Sequence, residues 1–147
     1  MTQQPKPIIR GISVHQHHNN TFEWCPDFEN RKKVINTEKP KYERPIRNKL
    51  FRMLTKKEIA MLPVEFVNAC REYGEAYQKW EKANQKWEEA CHKQKEACQK
   101  WEEAYQKRKE AKQKWEEAYH KYKPQLEEIH KKICNCKEWN GSELVFR

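Results

Sequence analysis

Glycine is scarce in this chain, at three residues in 147. No glycine-rich phosphate loop and no dinucleotide fingerprint is present, nor are G-x-S-x-G and H-E-x-x-H, so the sequence offers no enzyme signature. No run approaches eighteen apolar residues, which excludes a hydrophobic membrane-spanning helix. A mean hydropathy of −1.30 argues against a large buried core. The first residues, MTQQPKPIIRG, lack an apolar leader segment. The six cysteines, at 25, 70, 91, 98, 134 and 136, are therefore read as reduced thiols, and a cytoplasmic location is expected. Asn19-Asn20-Thr21 and Asn140-Gly141-Ser142 match the glycosylation pattern but are read as chance in this setting.

Charge is plentiful and uneven. The formal net charge is +9, and one stretch equals that total. Arg31, Lys32, Lys33, Lys39, Lys41, Arg44, Arg47, Lys49, Arg52, Lys56 and Lys57 stand there against only Glu38 and Glu43. Such a segment could neutralise phosphates, so nucleic-acid binding is the alternative function.

The dominant feature is a seven-residue repeat. Residues 76–124 read AYQKWEK, ANQKWEE, ACHKQKE, ACQKWEE, AYQKRKE, AKQKWEE and AYHKYKP, preceded by the degenerate ACREYGE. One column holds Ala76, Ala83, Ala90, Ala97, Ala104, Ala111 and Ala118, at heptad position d. The other holds Tyr73, Trp80, Trp87, Gln94, Trp101, Arg108, Trp115 and Tyr122, at position a. Glutamate-to-lysine pairs four residues apart add about 0.2–0.5 kcal/mol each to a helix. With Pro63 at its start and Pro124 at its end, the pattern predicts one helix over 63–123, a rod of about 90 Å. No glycine or proline lies between 75 and 123, so the rod is not expected to fold back on itself. A strict heptad implies a supercoil, and the expected partner is a second copy, with tryptophan packed over alanine. The lysines at every g position from Lys79 to Lys121 disfavour an antiparallel pair, so a parallel one is expected. Cys91 and Cys98, at e positions one heptad apart, are read as free thiols.

Residues 1–62 are expected to form a basic, mixed segment. Ile8, Ile9, Ile12 and Val14 suggest a strand, and Thr21–Trp24 and Lys33–Asn36 suggest two more. Thr55 and Glu58 form a capping box for a short helix. Leu50, Phe51, Leu54, Ile59, Leu62 and Phe66 could build a small core at the base of the rod. Residues 124–147 are read as a short helix bearing Leu126, Ile129 and Ile133, then a hairpin with a type I′ turn at Asn140-Gly141.

His130 and Cys134 are one helical turn apart, with Cys136 just beyond. These are three ligands of zinc type. The fourth would be Cys25 or one of His15, His17 and His18. The bland alternative is two buried thiols and a satisfied histidine.

The segments KPKYERPIRNKLFRML, the heptad block, HKKICNCKEWNG and ELVF together give a layout that resembles small bacterial and phage proteins of uncharacterised function. That resemblance implies no activity and carries over no functional residue. The sequence thus predicts a mainly α protein: a long heptad-repeat coiled-coil helix, a small mixed N-terminal segment, and a helix-plus-hairpin tail. The expected role is that of a non-enzymatic structural or protein–protein interaction protein that self-associates.

Overall fold

The structure is a computed structural model that describes residues 5–90 and 95–146. The N-terminal part forms a small antiparallel sheet with short helices. β1 (Gly11–Val14) lies between β2 (Phe22–Cys25) and β3 (Arg52–Met53). In the β1–β2 ladder Gly11 faces Cys25 and Val14 faces Phe22. α1 (Phe28–Thr37) is capped by Asp27, whose Oδ1 accepts from the Asn30 amide at 3.0 Å. The strand expected at Lys33–Asn36 is therefore the last turns of α1. Ile35 there is fully buried beside Cys25 and Phe51, a single apolar contact that fits one helical face as well as a strand. α2 (Arg44–Leu50) carries Pro45 in its first turn, where a missing N–H costs nothing. α3 (Lys56–Ala60) begins with the expected capping box of Thr55 and Glu58.

The heptad block forms two helices rather than one rod. α4 (Val64–Ala90) and α5 (Lys95–Ile133) pack side by side, and their paired residues run in opposite senses along the chain. Phe66 meets Tyr119, Tyr73 stacks on Trp115 with ring centroids 6.1 Å apart, and Trp87 meets Trp101 at 5.9 Å. The expectation that the chain could not reverse without glycine or proline is thus corrected. α4 ends at Ala90 and α5 begins at Lys95, both within the repeat ACHKQKE, which alone has glutamine where its neighbours carry an aromatic or arginine. Gln94 and Cys91 lie outside the described residues, as do the side chains of Ala90 and Ala97.

This pairing supplies what the seam required. Large residues of one helix meet large residues of the other. Ala76 and Ala104, and Ala69 and Ala118, line grooves along the hairpin. Arg108 places its guanidinium 4.5 Å from the Trp80 ring and 5.6 Å from Tyr77, so its charge meets aromatic faces. Trp101 Nε1 donates to Asn84 Oδ1 at 2.9 Å. Glu72, Glu75 and Glu103 share one groove with the g-position lysines Lys79, Lys100 and Lys107. Lys121 pairs with Glu65 across the hairpin at 3.0 Å, where Tyr122 also donates to Glu65.

Helix α5 passes through Pro124 without ending. A proline inside a helix costs about 3 kcal/mol. The turns beyond it offset that cost by burying Leu126 and packing Ile129 and Ile133 against the main core. That core joins the sheet to the hairpin base, with Ile12, Val14, Phe22, Leu54, Leu62, Phe66, Cys70, Trp115 and Tyr119 at its centre. At Gly74 helix α4 passes close against β2. A Cβ there would come within 2.5 Å of Cδ2 and 2.6 Å of Nε1 of Trp24 on β2. Among the described residues, no helix is long and apolar enough to cross a membrane.

Candidate metal centre

Three segments converge at the end of the central strand. β1 ends at Val14, and the next residue, His15, adopts a left-handed backbone with φ of 54°. Its amide donates to the Thr21 carbonyl at 2.9 Å, closing the loop back toward β2. This conformation is uncommon for a residue with a side chain. It sets the His15 ring against the end of α5. There His130 lies on the buried face of the helix, one turn after Leu126. Cys134 follows one turn later, its amide donating to the His130 carbonyl at 2.7 Å as the helix ends. Cys136 returns across both rings.

The result is a cluster of four ligand atoms, all within 4.8 Å of one another. His15 Nε2 and His130 Nε2 are 2.8 Å apart, and Cys136 Sγ is 3.4 Å from each. A tetrahedral ion with nitrogen at about 2.0–2.1 Å and sulfur at about 2.3 Å would set these edges at roughly 3.3–3.8 Å. To become a coordination shell, the imidazole pair would open by about half an ångström and the widest edge of the cluster, up to 4.8 Å, would close by about one. Two imidazole nitrogens and two sulfurs could hold a metal ion.

The electrostatics suit that role. Burial, and secondarily the neighbouring His130, hold the His15 imidazole down to about 3. Burial also lowers His130. Both rings are therefore neutral, the form that binds a cation. Burial and the adjacent Cys134 push the Cys136 thiol up to about 12. A cation would have to displace that proton. The Trp139 ring packs against both imidazoles at 5.6 and 5.8 Å and donates its Nε1 to Glu127 at 2.9 Å. His15 Nδ1 is buried without a hydrogen-bond partner, so His15 is held by packing and by whatever its Nε2 engages.

The fourth member of the cluster is His15, and Cys25, expected as a candidate, lies outside it. The β1–β2 register places Cys25 opposite Gly11, at the far end of the ladder from His15. It is fully buried with Ile35 and Phe51, and burial raises its thiol to about 11. His17 faces Glu23 instead, with Nδ1 2.7 Å from its carboxylate, and His18 is exposed. His18 contributes only its carbonyl, which accepts from the Leu144 amide at 2.7 Å and pins the tail over the site. The tail makes a single bridge, Trp139 to Leu144, around Asn140-Gly141. Only Gly141 has a positive φ there, so the turn is not type I′. Asn140 Oδ1 closes it by accepting from the amides of Ser142 and Glu143, both at 2.9 Å.

The basic segment is largely engaged within the chain. Arg31 donates to the Gln16 carbonyl, Lys32 to that of Asn48, and Arg44 to those of Thr37 and Lys39. Arg47 is buried against Glu43 and faces the Phe146 ring, while Lys49 pairs with Glu138 and Arg52 with Glu58. Lys33, Lys39, Lys41, Lys56 and Lys57 make no side-chain hydrogen bond or ion pair among the described residues. Comparisons with known protein families, with curated proteins and with solved structures find no match.

Proposed function

We propose that this chain is a non-enzymatic structural and protein-interaction module. A Zn²⁺ ion staples its α/β head, and the helical hairpin projects from that head as an arm. The observation that carries the reading is the convergence of His15, His130, Cys134 and Cys136, four neutral or thiol ligands drawn from both ends of the chain. A two-histidine, two-cysteine set matches the preference of zinc for nitrogen and sulfur in tetrahedral array. Four protein ligands fill that array and leave no position for a water or a substrate, which supports a structural ion over a catalytic one. The ion would tie the end of β1 to the end of α5, closing a loop of more than a hundred residues. The in-chain engagement of six of the eleven basic groups in 31–57 favours this reading over phosphate binding.

Metal analysis of untagged protein tests it. One equivalent of zinc is expected. Co²⁺ in its place should give the strong visible absorption of a tetrahedral site with thiolate ligands. His15→Ala and Cys136→Ser should each abolish stoichiometric binding. Less than a tenth of an equivalent after reconstitution removes the proposal.

A further inference from the structure

Among the described residues, none between Gly74 and Trp115 is buried. The arm is built of heptads with aromatics at their centre, yet Tyr77, Trp80, Trp87, Trp101 and Tyr105 are all only partly buried. Two helices alone leave part of each ring uncovered, whereas Trp115 and Tyr119, under the head, are buried. The two sides of the hairpin differ. One is a groove floored by Ala76 and Ala104 and rimmed by glutamates and lysines. The other carries the a and e columns. At the base of the hairpin that second side is covered by the head: Trp24 sits on Gly74, and the Thr21 amide donates to the Tyr119 hydroxyl at 3.0 Å. Cys70 and Trp115 are buried there. Beyond Gly74 the same face continues along the arm as a ladder of rings. Tyr77 packs on Trp80 at 5.8 Å, and Tyr105 stacks on Trp101 at 5.4 Å.

We propose that a second copy of this chain covers the aromatic face of the arm, its own arm laid antiparallel to the first. This is independent of the zinc reading. Continuity with the face the head covers marks the surface as one side of a core. β1, β2, β3 and α1–α3 are all placed in the head or at the hairpin base, so no other described element of the chain reaches along the arm. The rungs of the ladder recur every heptad, about 10.5 Å along each helix. A second copy presents gaps at the same interval. The sense follows from sterics. The head occupies this very face at the base, so two copies docked with heads at one end would collide. Reversing one copy sets the heads at opposite ends and leaves the arms free to meet. An isologous contact of this kind closes as a dimer.

Sedimentation equilibrium on the full, zinc-loaded chain tests the proposal. A mass twice the 18.1 kDa of the chain is expected at tens of micromolar. Tyr105→Glu should weaken the dimer at least tenfold while helicity at 222 nm is kept. Ala104→Ser, on the opposite groove, should leave it unchanged. Should Tyr105→Glu fail to fold, dilution of the unaltered chain serves instead: tryptophan emission should shift to the red as the mass halves. A monomer at 200 μM, or emission that stays constant as a dimer dissociates, overturns the proposal. A disulfide between the exposed Cys98 thiols of two copies under mild oxidation overturns the antiparallel sense, because only heads at the same end bring those thiols together.

Discussion

Replacing Gly74 by alanine separates two opposing effects whose sizes follow from the structure. In a helix interior alanine is favoured over glycine by about 1 kcal/mol, so in isolation the change should stabilise α4. Here the added methyl would meet Trp24 at 2.5 Å from Cδ2 and 2.6 Å from Nε1, and closer still at Cε2. These are rigid ring atoms rather than the end of a flexible chain. The indole must move off the helix, and overpacking of this kind costs up to about 3 kcal/mol. The net expectation is a loss of about 2 kcal/mol, or roughly 4–8 °C in Tm for a chain of this size. With Trp24→Ala as background the clash is gone, and Gly74→Ala should then stabilise by about 1 kcal/mol. Urea unfolding of the four proteins at a fixed metal load gives the coupling directly, expected near 3 kcal/mol. If Gly74→Ala has the same sign and size in both backgrounds, the indole is not what requires glycine there.

Three further outcomes are expected. Metal affinity should rise at least about tenfold per pH unit between pH 6 and 8, because the Cys136 thiol, pushed up to about 12, yields its proton to the ion while His15 and His130 are already neutral. A competition titration giving a rise under threefold per unit would contradict this. Cys25→Ser should leave metal stoichiometry unchanged, since that thiol sits in the Ile35–Phe51 cluster; loss of the metal would place Cys25 back in the ligand set. Glu58→Gln should cost under about 1 kcal/mol at pH 7, given that the Arg52 partner is 40% exposed. Hydrogen bonding to Arg52 holds the Glu58 carboxylate down to about 2. A carboxylate depressed on folding stabilises above its unfolded value of about 4.3 and loses that contribution as pH falls toward 2. The difference between Glu58→Gln and the unaltered chain should therefore vanish across that window, and a difference that persists at pH 2 would refute it.

Local signals were legible where one residue pair sets the structure. Thr55 and Glu58 announce the start of α3, and the alternation around Ile12 and Val14 announces β1. His130, Cys134 and Cys136 were readable as ligands because a helical turn fixes their spacing. His15 was one of several candidates for the fourth place, and no local pattern separates it from Cys25. That choice rests on the strand register and on a left-handed residue, neither of which the sequence spells out. Lys33–Asn36 misled because Val34 and Ile35 satisfy a strand pattern and a helix face equally, and the Asp27 cap that decides between them lies seven residues upstream. Pro124 misled because its cost is local, whereas the burial of Leu126 that offsets it is not.

By itself the heptad repeat determined that residues 64–90 and 95–123 would be helical and that the aromatics would recur along one stripe. Both follow from a 3.6-residue period acting within a few turns. Where that face would find cover was left to the tertiary structure. A heptad seam is satisfied equally by a second chain or by its own continuation folded back. That α5 lies against α4 is seen in the pairing of their rings, Tyr73 on Trp115 and Trp87 on Trp101. The same folding brings His15 to the end of α5, across 115 residues, and makes a cluster from side chains whose separation in sequence gives no hint of contact.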